Sequence, residues 1–212
     1  MTKCVGYFFE ERMNRRKMLQ ALTSIGLLTQ PLVITSSLAQ VRTSQDSLPC
    51  IDLERLFDQI FIDGKGFEMG GSSGGARTIY IIFDPQCPDC IGFWNLANQF
   101  KNRFRFIWIP VAILNSRSEL QGAILLSSPK AFELMNQHVL SFSTASRGIS
   151  AEGVVVSNDA REDVWRNSRI FRRAGGKNVP FAIYQDPQNR IMGSADIETP
   201  ESLTKFLKII KQ

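Results

Sequence analysis

The stretch Thr78-Ile-Tyr-Ile-Ile-Phe-Asp-Pro-Gln-Cys-Pro-Asp-Cys90 decides the fold, because an apolar run leads directly into a Cys-x-x-Cys pair. The run 78–83 is rich in β-branched and aromatic residues and predicts a buried strand. A helix beginning at Cys87 would point its unpaired backbone N–H groups and the positive end of its dipole at that sulfur, which favours thiolate over thiol. The pattern predicts dithiol redox chemistry, with Cys87 as the nucleophile and Cys90 as its resolving partner.

The residues after the pair predict a helix and then a second strand. Residues at helical spacing are Phe93, Trp94, Ala97 and Phe100. The run 103–110 has the composition of a strand. Two strands joined through a helix pair in parallel, with a right-handed crossover.

A largely helical region follows, and the chain then returns to strands. Helical patterns cover 120–126 and 129–140, and Asn158 or Asp159 is expected to cap a helix that ends at the glycines 175–176. A hairpin is predicted over 181–192, followed by a helix that Pro200 opens. The predicted fold class is α/β: a βαβ half and a ββα half, separated by a helical insertion at about 115–176.

Composition and charge favour one globular domain and argue against nucleic acid as a partner. The chain has 212 residues, of which 43% are hydrophobic, and a formal net charge of +5. Residues 1–39 hold five basic and two acidic side chains, which leaves a formal net charge of +2 on residues 40–212. No stripe of Lys and Arg with interleaved aromatic residues is left in that part to neutralise phosphates.

The first 39 residues predict an export signal. The pair Arg15-Arg16 precedes an uncharged, largely apolar span at 18–41, and Ser37-Leu38-Ala39 supplies the small residues of a cleavage site near Ala39. The run 14–20 is similar to a twin-arginine signal, so both this and the general secretory route are open. An uncleaved membrane anchor is the alternative. Either export route ends outside the cytoplasm.

Residues 40–76 predict a short helix and a linker. Asp52 can cap a helix that places Leu53, Leu56, Phe57 and Ile60 on one stripe. The Gly/Ser run 70–75 has the composition of a flexible linker. We therefore expect the compact domain to cover 77–212.

Cysteine and histidine usage predicts no metal site and no cofactor. With Cys4 removed in the leader, Cys50 remains beside the pair at 87 and 90. Cys50 can be buried as a small hydrophobic residue, pair between molecules or bind a substrate sulfur. Two cysteines at this spacing can form half of a zinc or copper site, but His138 is the only histidine. His138 lies in a predicted helix and is expected to be an ordinary surface or core residue.

The second informative position is Val179-Pro180, at the start of the predicted hairpin. X-Pro bonds adopt the cis form at low cost, and a cis bond here would leave the Val179 carbonyl and N–H able to align an extended substrate segment. The alternative is a trans proline that opens an edge strand.

The runs 79–94 and 179–184 resemble the catalytic domain of the DsbC/DsbG branch of the thioredoxin superfamily, and the resemblance covers roughly 77–212. It implies a thioredoxin-like fold and a periplasmic thiol:disulfide interchange protein. Cys87 would be the attacking thiol, Cys90 the resolving thiol and Pro180 the cis-proline beside them. It also implies exported, cysteine-containing proteins as substrates and a DsbD-type membrane thiol reductase as electron donor.

The chain departs from that family at three places. Only residues 40–76 separate the predicted cleavage site from the domain, where the family usually has a dimerisation domain, so we expect a monomer. Val179 stands where the family usually has Thr. Ile81 stands where thioredoxins carry a buried acid, and the nearby carboxylates are Asp84 and Asp89.

Pro88 and Asp89 lie between the two thiols and are predicted to modulate them. A negative charge at Asp89 should oppose thiolate formation at Cys87 and raise its pKa, which makes a weaker oxidant. The sequence therefore favours a reductase or isomerase over an oxidase. The alternative function is a thioredoxin-fold chaperone or assembly module of a secretion or conjugation apparatus.

Overall fold

A five-stranded mixed sheet with helices on both faces forms the centre of the computed structural model, which describes residues 50–71 and 77–207. The sheet order is β1-β3-β2-β4-β5; β2 and β3 are parallel, and the other neighbours are antiparallel. In chain order the elements are α1 (Leu53–Asp63), β1 (Phe67–Gly70), β2 (Arg77–Phe83), α2 (Pro88–Asn98), β3 (Phe104–Pro110), α3 (Ser116–Ser127), α4 (Ala131–Leu140), α5 (Asn158–Arg173), β4 (Phe181–Gln185), β5 (Ile191–Ser194) and α6 (Pro200–Phe206). Within the described ranges, no helix has the length and apolar character needed to cross a membrane.

The apolar run of β2 is central in the sheet and is buried on both faces. Ile79 and Ile81 pack in a cluster with residues of α2, α4 and α6, whereas Ile82 faces a second cluster built with α1 and α5. A strand covered on both faces needs apolar residues at consecutive positions, which is why this run shows no polar alternation. The predicted α/β class and the parallel pairing of β2 with β3 are confirmed.

The sheet begins earlier in the chain than the predicted domain boundary at residue 77. Strand β1 pairs antiparallel with β3, with Phe67 opposite Trp108, and Leu56 and Ile60 of α1 are buried in the second cluster. The predicted linker at 70–75 therefore joins two strands of one sheet. The compact unit therefore includes α1 and β1, because β1 buries its apolar side chains in the first cluster and α1 buries its own in the second.

The predicted insertion at about 115–176 divides into two parts. Helices α3, α4 and α5 all lie in the connection from β3 to β4. Helix α5 packs on the sheet face opposite α2, with Ile170 and Phe171 in the second cluster, whereas α3 and α4 bury Leu125 and Met135 in the first cluster. The N-cap of α5 is Ser157, and not Asn158 or Asp159 as predicted. The Ser157 side chain accepts a hydrogen bond from the Ala160 N–H.

The predicted C-terminal hairpin and closing helix are present. Strands β4 and β5 pair antiparallel around a turn in which the Asp186 carboxylate accepts from the Arg190 side chain. Thr199 caps α6, and Pro200 occupies its first turn. The predicted export signal in 1–39 and its cleavage near Ala39 lie outside the described residues.

Candidate active site

The turn that joins β2 to α2 is fixed by a buried carboxylate. Asp84 is fully buried, and its side chain accepts hydrogen bonds from the backbone N–H of Gln86 (2.8 Å), Ile113 (2.8 Å) and Leu114 (3.0 Å). Its carbonyl accepts from the Cys87 N–H at 3.0 Å. These bonds tie the turn to the segment after β3 and place Cys87 at the start of α2.

Cys87 is the N-cap residue of α2, as the sequence predicted. Its sulfur accepts a hydrogen bond from the Cys90 backbone N–H at 3.4 Å, and Pro88 occupies the first helical turn, where the lack of an N–H carries no penalty. The same sulfur lies 3.4 Å from the Val179 carbonyl oxygen, to which the thiol donates. Cys87 therefore lies between a helix N-terminus and the segment that precedes β4.

The surroundings of Cys87 lower its pKa. The largest cause is a hydrogen bond from the Cys90 side chain, and the backbone N–H groups of Cys90 and Asp89 act in the same direction. Burial and the Asp89 charge raise the pKa but are outweighed. The predicted adverse effect of the Asp89 charge is thus present, but it is the smallest of these contributions, because the exposed carboxylate is solvated.

The surroundings of Cys90 raise its pKa, in contrast to those of Cys87. Its side chain is fully buried, and burial raises its pKa well above the ordinary value, with further increases from Cys87 and from the charge of Asp84. The thiolate therefore forms preferentially at Cys87, while Cys90 keeps its proton.

The structure brings the predicted substrate-binding residues to the cysteine pair. The Val179–Pro180 peptide bond is cis, Pro180 is buried and Val179 is half-buried. A groove of about 680 Å³ runs past Cys87, with Pro88 and Asp89 on its wall beside Val179 and Pro180. Five of the six predicted site residues therefore line one groove, and Cys90 lies buried beneath Cys87.

Other residues of the groove were not predicted from the sequence. They come from the first turns of α2, the segment after β3, the residues before Val179 and the loop after β5: Gly92, Phe93, Leu114, Lys177, Asn178, Ala195, Asp196, Ile197 and Glu198. No local pattern marks them, because they become neighbours only when the sheet has formed. Cys50 lies elsewhere and is exposed, so the alternative that it is buried is wrong.

No protein-family model matches the chain. A curated relative, the thiol:disulfide interchange protein DsbG of Pseudomonas aeruginosa, is 22% identical over 139 residues, which cover 65% of this chain and 53% of the relative. The chain thus spans about half the length of that relative.

Two solved structures show the likeness of the fold. The catalytic domain of Proteus mirabilis ScsC has a TM-score of 0.57 at 17% identity, with 74% of this chain and 96% of that domain covered. A periplasmic thioredoxin-like protein from Salmonella enterica serovar Typhimurium has a TM-score of 0.54 at 18% identity, with 72% and 94% covered. The predicted resemblance is confirmed: the chain is similar to DsbG-type thiol:disulfide interchange proteins and has their thioredoxin-like fold.

Proposed function

We propose that this protein is a periplasmic thiol:disulfide oxidoreductase that exchanges disulfides with exported proteins through Cys87 and Cys90. The observation that carries the proposal is the placement of the pair: Cys87 caps α2 and contacts the Val179 carbonyl in the groove, and Cys90 lies fully buried within the same helical turn. This placement lowers the pKa of Cys87 and raises that of Cys90. In such a pair one cysteine is a thiolate that can attack a disulfide, and the other remains a protonated thiol that can resolve the mixed disulfide.

The exchange proceeds in two displacements. The Cys87 thiolate attacks one sulfur of a substrate disulfide, so that a mixed disulfide forms and the other substrate sulfur leaves as a thiolate. Cys90 gives its proton to that leaving thiolate and attacks the Cys87 sulfur. This attack breaks the mixed disulfide and releases the second substrate sulfur as a thiolate, which takes a proton from water. The substrate departs as a dithiol, and a Cys87–Cys90 disulfide remains. Two electrons have moved from the enzyme to the substrate, and a dithiol reductant must supply two electrons to reduce the Cys87–Cys90 disulfide again.

The groove supplies the place for the substrate chain. Val179 lies two residues before β4, with Pro180 between them, and is outside the paired residues of the strand, so its N–H and carbonyl can align an extended segment beside Cys87. The Val179 carbonyl already contacts the Cys87 sulfur, and Pro180 is buried beneath it. The substrate sulfur would thus be brought to Cys87 by backbone contacts, with little selection for particular side chains.

The leader and the relatives support the proposed location and partners. The basic, apolar and small-residue order in 1–39 supports export with cleavage near Ala39, and one similar structure is described as periplasmic. In that compartment a membrane thiol reductase of the DsbD type would return electrons to Cys87 and Cys90, and the protein would act as a monomer. The proposed direction is reduction or isomerisation: the Asp89 charge acts in that sense by raising the Cys87 pKa, whereas the hydrogen bonds to the sulfur, which outweigh it, act towards oxidation.

Serine substitutions test exchange against the alternative of a holding chaperone. In Cys90→Ser, the mixed disulfide at Cys87 cannot be resolved, so covalent adducts with exported cysteine-containing proteins should accumulate and disappear under reductant. In Cys87→Ser, adducts and exchange with a model disulfide protein should both be lost. Retention of function in Cys87→Ser cells would contradict exchange and support the chaperone alternative.

A further inference from the structure

Buried side chains of the helical insertion hold the turn that precedes Cys87. Gln86 is 4% exposed, and its Nε2 donates to Gln121 Oε1 at 2.6 Å and to the Arg147 carbonyl at 2.8 Å. Gln121 in turn donates to the Ile149 carbonyl at 2.9 Å. The active-site turn is therefore bonded both to α3 and to the segment 147–149, which follows α4.

His138 of α4 is the second buried link. Its side chain is fully buried, its Nε2 lies 2.8 Å from the Pro85 carbonyl oxygen, and the Ile149 N–H donates to its Nδ1 at 3.2 Å. A backbone N–H can only donate, so Nδ1 must be the unprotonated acceptor and Nε2–H the donor to Pro85. The imidazole is thus held neutral in one tautomer, with one nitrogen on the turn and the other on segment 147–149.

The surroundings of His138 favour this neutral form. Burial is the largest influence and lowers its pKa, against the hydrogen bond to Pro85 and the charge of Asp84, which raise it. Gly148 packs directly on the ring: an added Cβ would lie 2.2 Å from His138 Cε1, and the glycine has a φ of +109°. Segment 147–149 is therefore shaped around the imidazole.

We propose that His138 is a positioning residue for thiol exchange, which holds the Pro85 carbonyl and so keeps Cys87 against its hydrogen-bond donors at the start of α2. Pro85 is two residues from Cys87, within the turn closed by the bond from the Cys87 N–H to the Asp84 carbonyl. A shift of this turn moves the Cys87 sulfur away from the N–H groups that lower its pKa. The inference depends on the proposed role of Cys87, but its test does not require a substrate.

Two variants separate the two bonds of His138. In His138→Gln, the amide can still donate to Pro85, whereas in His138→Asn the side chain is too short for that bond and can only accept from Ile149. Cys87 is titrated in the full-length reduced protein by site-resolved alkylation across pH. We expect His138→Asn to lower the Cys87 thiolate fraction at neutral pH about threefold or more, and His138→Gln to restore most of it.

Leu56→Ala is the control for general loss of stability, because Leu56 is fully buried on α1 in the second cluster, which contains neither Gln121 nor His138. It should lower the thermal midpoint and leave the Cys87 titration unchanged. Equal Cys87 titrations in wild type, His138→Asn and His138→Gln would overturn the proposal, as would an equal shift in all three variants. If Cys87 of the wild type titrates with the pKa of an ordinary thiol, the proposed exchange function itself is refuted.

A measurement on the wild type covers the case in which the His138 variants fail to fold. His138 is the only histidine, so its ring ¹⁵N signals are unambiguous. We expect the neutral tautomer protonated at Nε2, and ring signals that shift as Cys87 titrates. The opposite tautomer, or signals that do not respond to Cys87, would overturn the proposal.

Discussion

At the scale of single residues, the two cysteines differ in the influence that dominates the thiol pKa: hydrogen bonds lower it at Cys87, and burial raises it at Cys90. Cys87 is 4% exposed and Cys90 is fully buried, so both lose hydration. Only Cys87 lies at the helix N-terminus, where backbone N–H groups and the Cys90 side chain donate to its sulfur. This position is readable from the sequence, because the strand, the turn and Pro88 fix where α2 begins.

The contribution of Asp89 can be isolated by one substitution. Asp89→Asn removes a negative charge that raises the Cys87 pKa, so that pKa should fall further and the reduction potential should become more oxidising. Because Asp89 is exposed, the change in thiolate fraction should stay below about threefold. Alkylation kinetics and equilibration with glutathione measure the two quantities.

Asp159→Asn is the matched control for that charge change. Asp159 is also exposed in the first turn of a helix, but that helix is α5, and it should leave the Cys87 pKa unchanged. An unchanged or more reducing potential in Asp89→Asn would contradict the proposed role of Asp89 and the argument for the reductase direction that depends on it.

At the scale of elements, α1 is part of the core, although the sequence predicted a separate short helix before a linker. Leu56 is fully buried against the sheet face that also holds α5, so Leu56→Ala should lower the free energy of unfolding by about 2–5 kcal/mol. Phe61 lies on the same helix, and its side chain is 70% exposed. Phe61→Ala should therefore change the free energy of unfolding by less than about 0.5 kcal/mol. Denaturant titration measures both, and equal small effects would contradict the assignment of α1 to the core.

The elements predicted correctly have strong local patterns, and those missed do not. Strands β2 and β3 and helix α2 follow from apolar runs and helical spacing around the cysteine pair. Strand β1 has only four residues, and its place depends on pairing with β3, where Phe67 lies opposite Trp108, 41 positions later in the chain; no local pattern reports such a pairing. The same reason applies to α5: the helix itself was predicted from its cap and its terminal glycines, but which sheet face it packs against depends on the fold.

At the scale of the whole molecule, the site combines segments that are distant in sequence. The groove joins the start of α2, Leu114, the residues around Pro180 and the loop after β5. The sequence predicted the residues that have chemical signatures of their own, namely the cysteine pair and Val179-Pro180. It did not predict that Gln86 and His138 tie the active-site turn to the insertion, because those contacts exist only after α3 and α4 have packed.

The most direct test of the account is site-resolved alkylation of the reduced, full-length protein across pH, with each cysteine quantified by mass spectrometry. We predict that Cys87 reacts with a pKa below that of an ordinary thiol and that Cys90 reacts only far above it. Ordinary, equal pKa values at the two positions, or a more reactive Cys90, would contradict it.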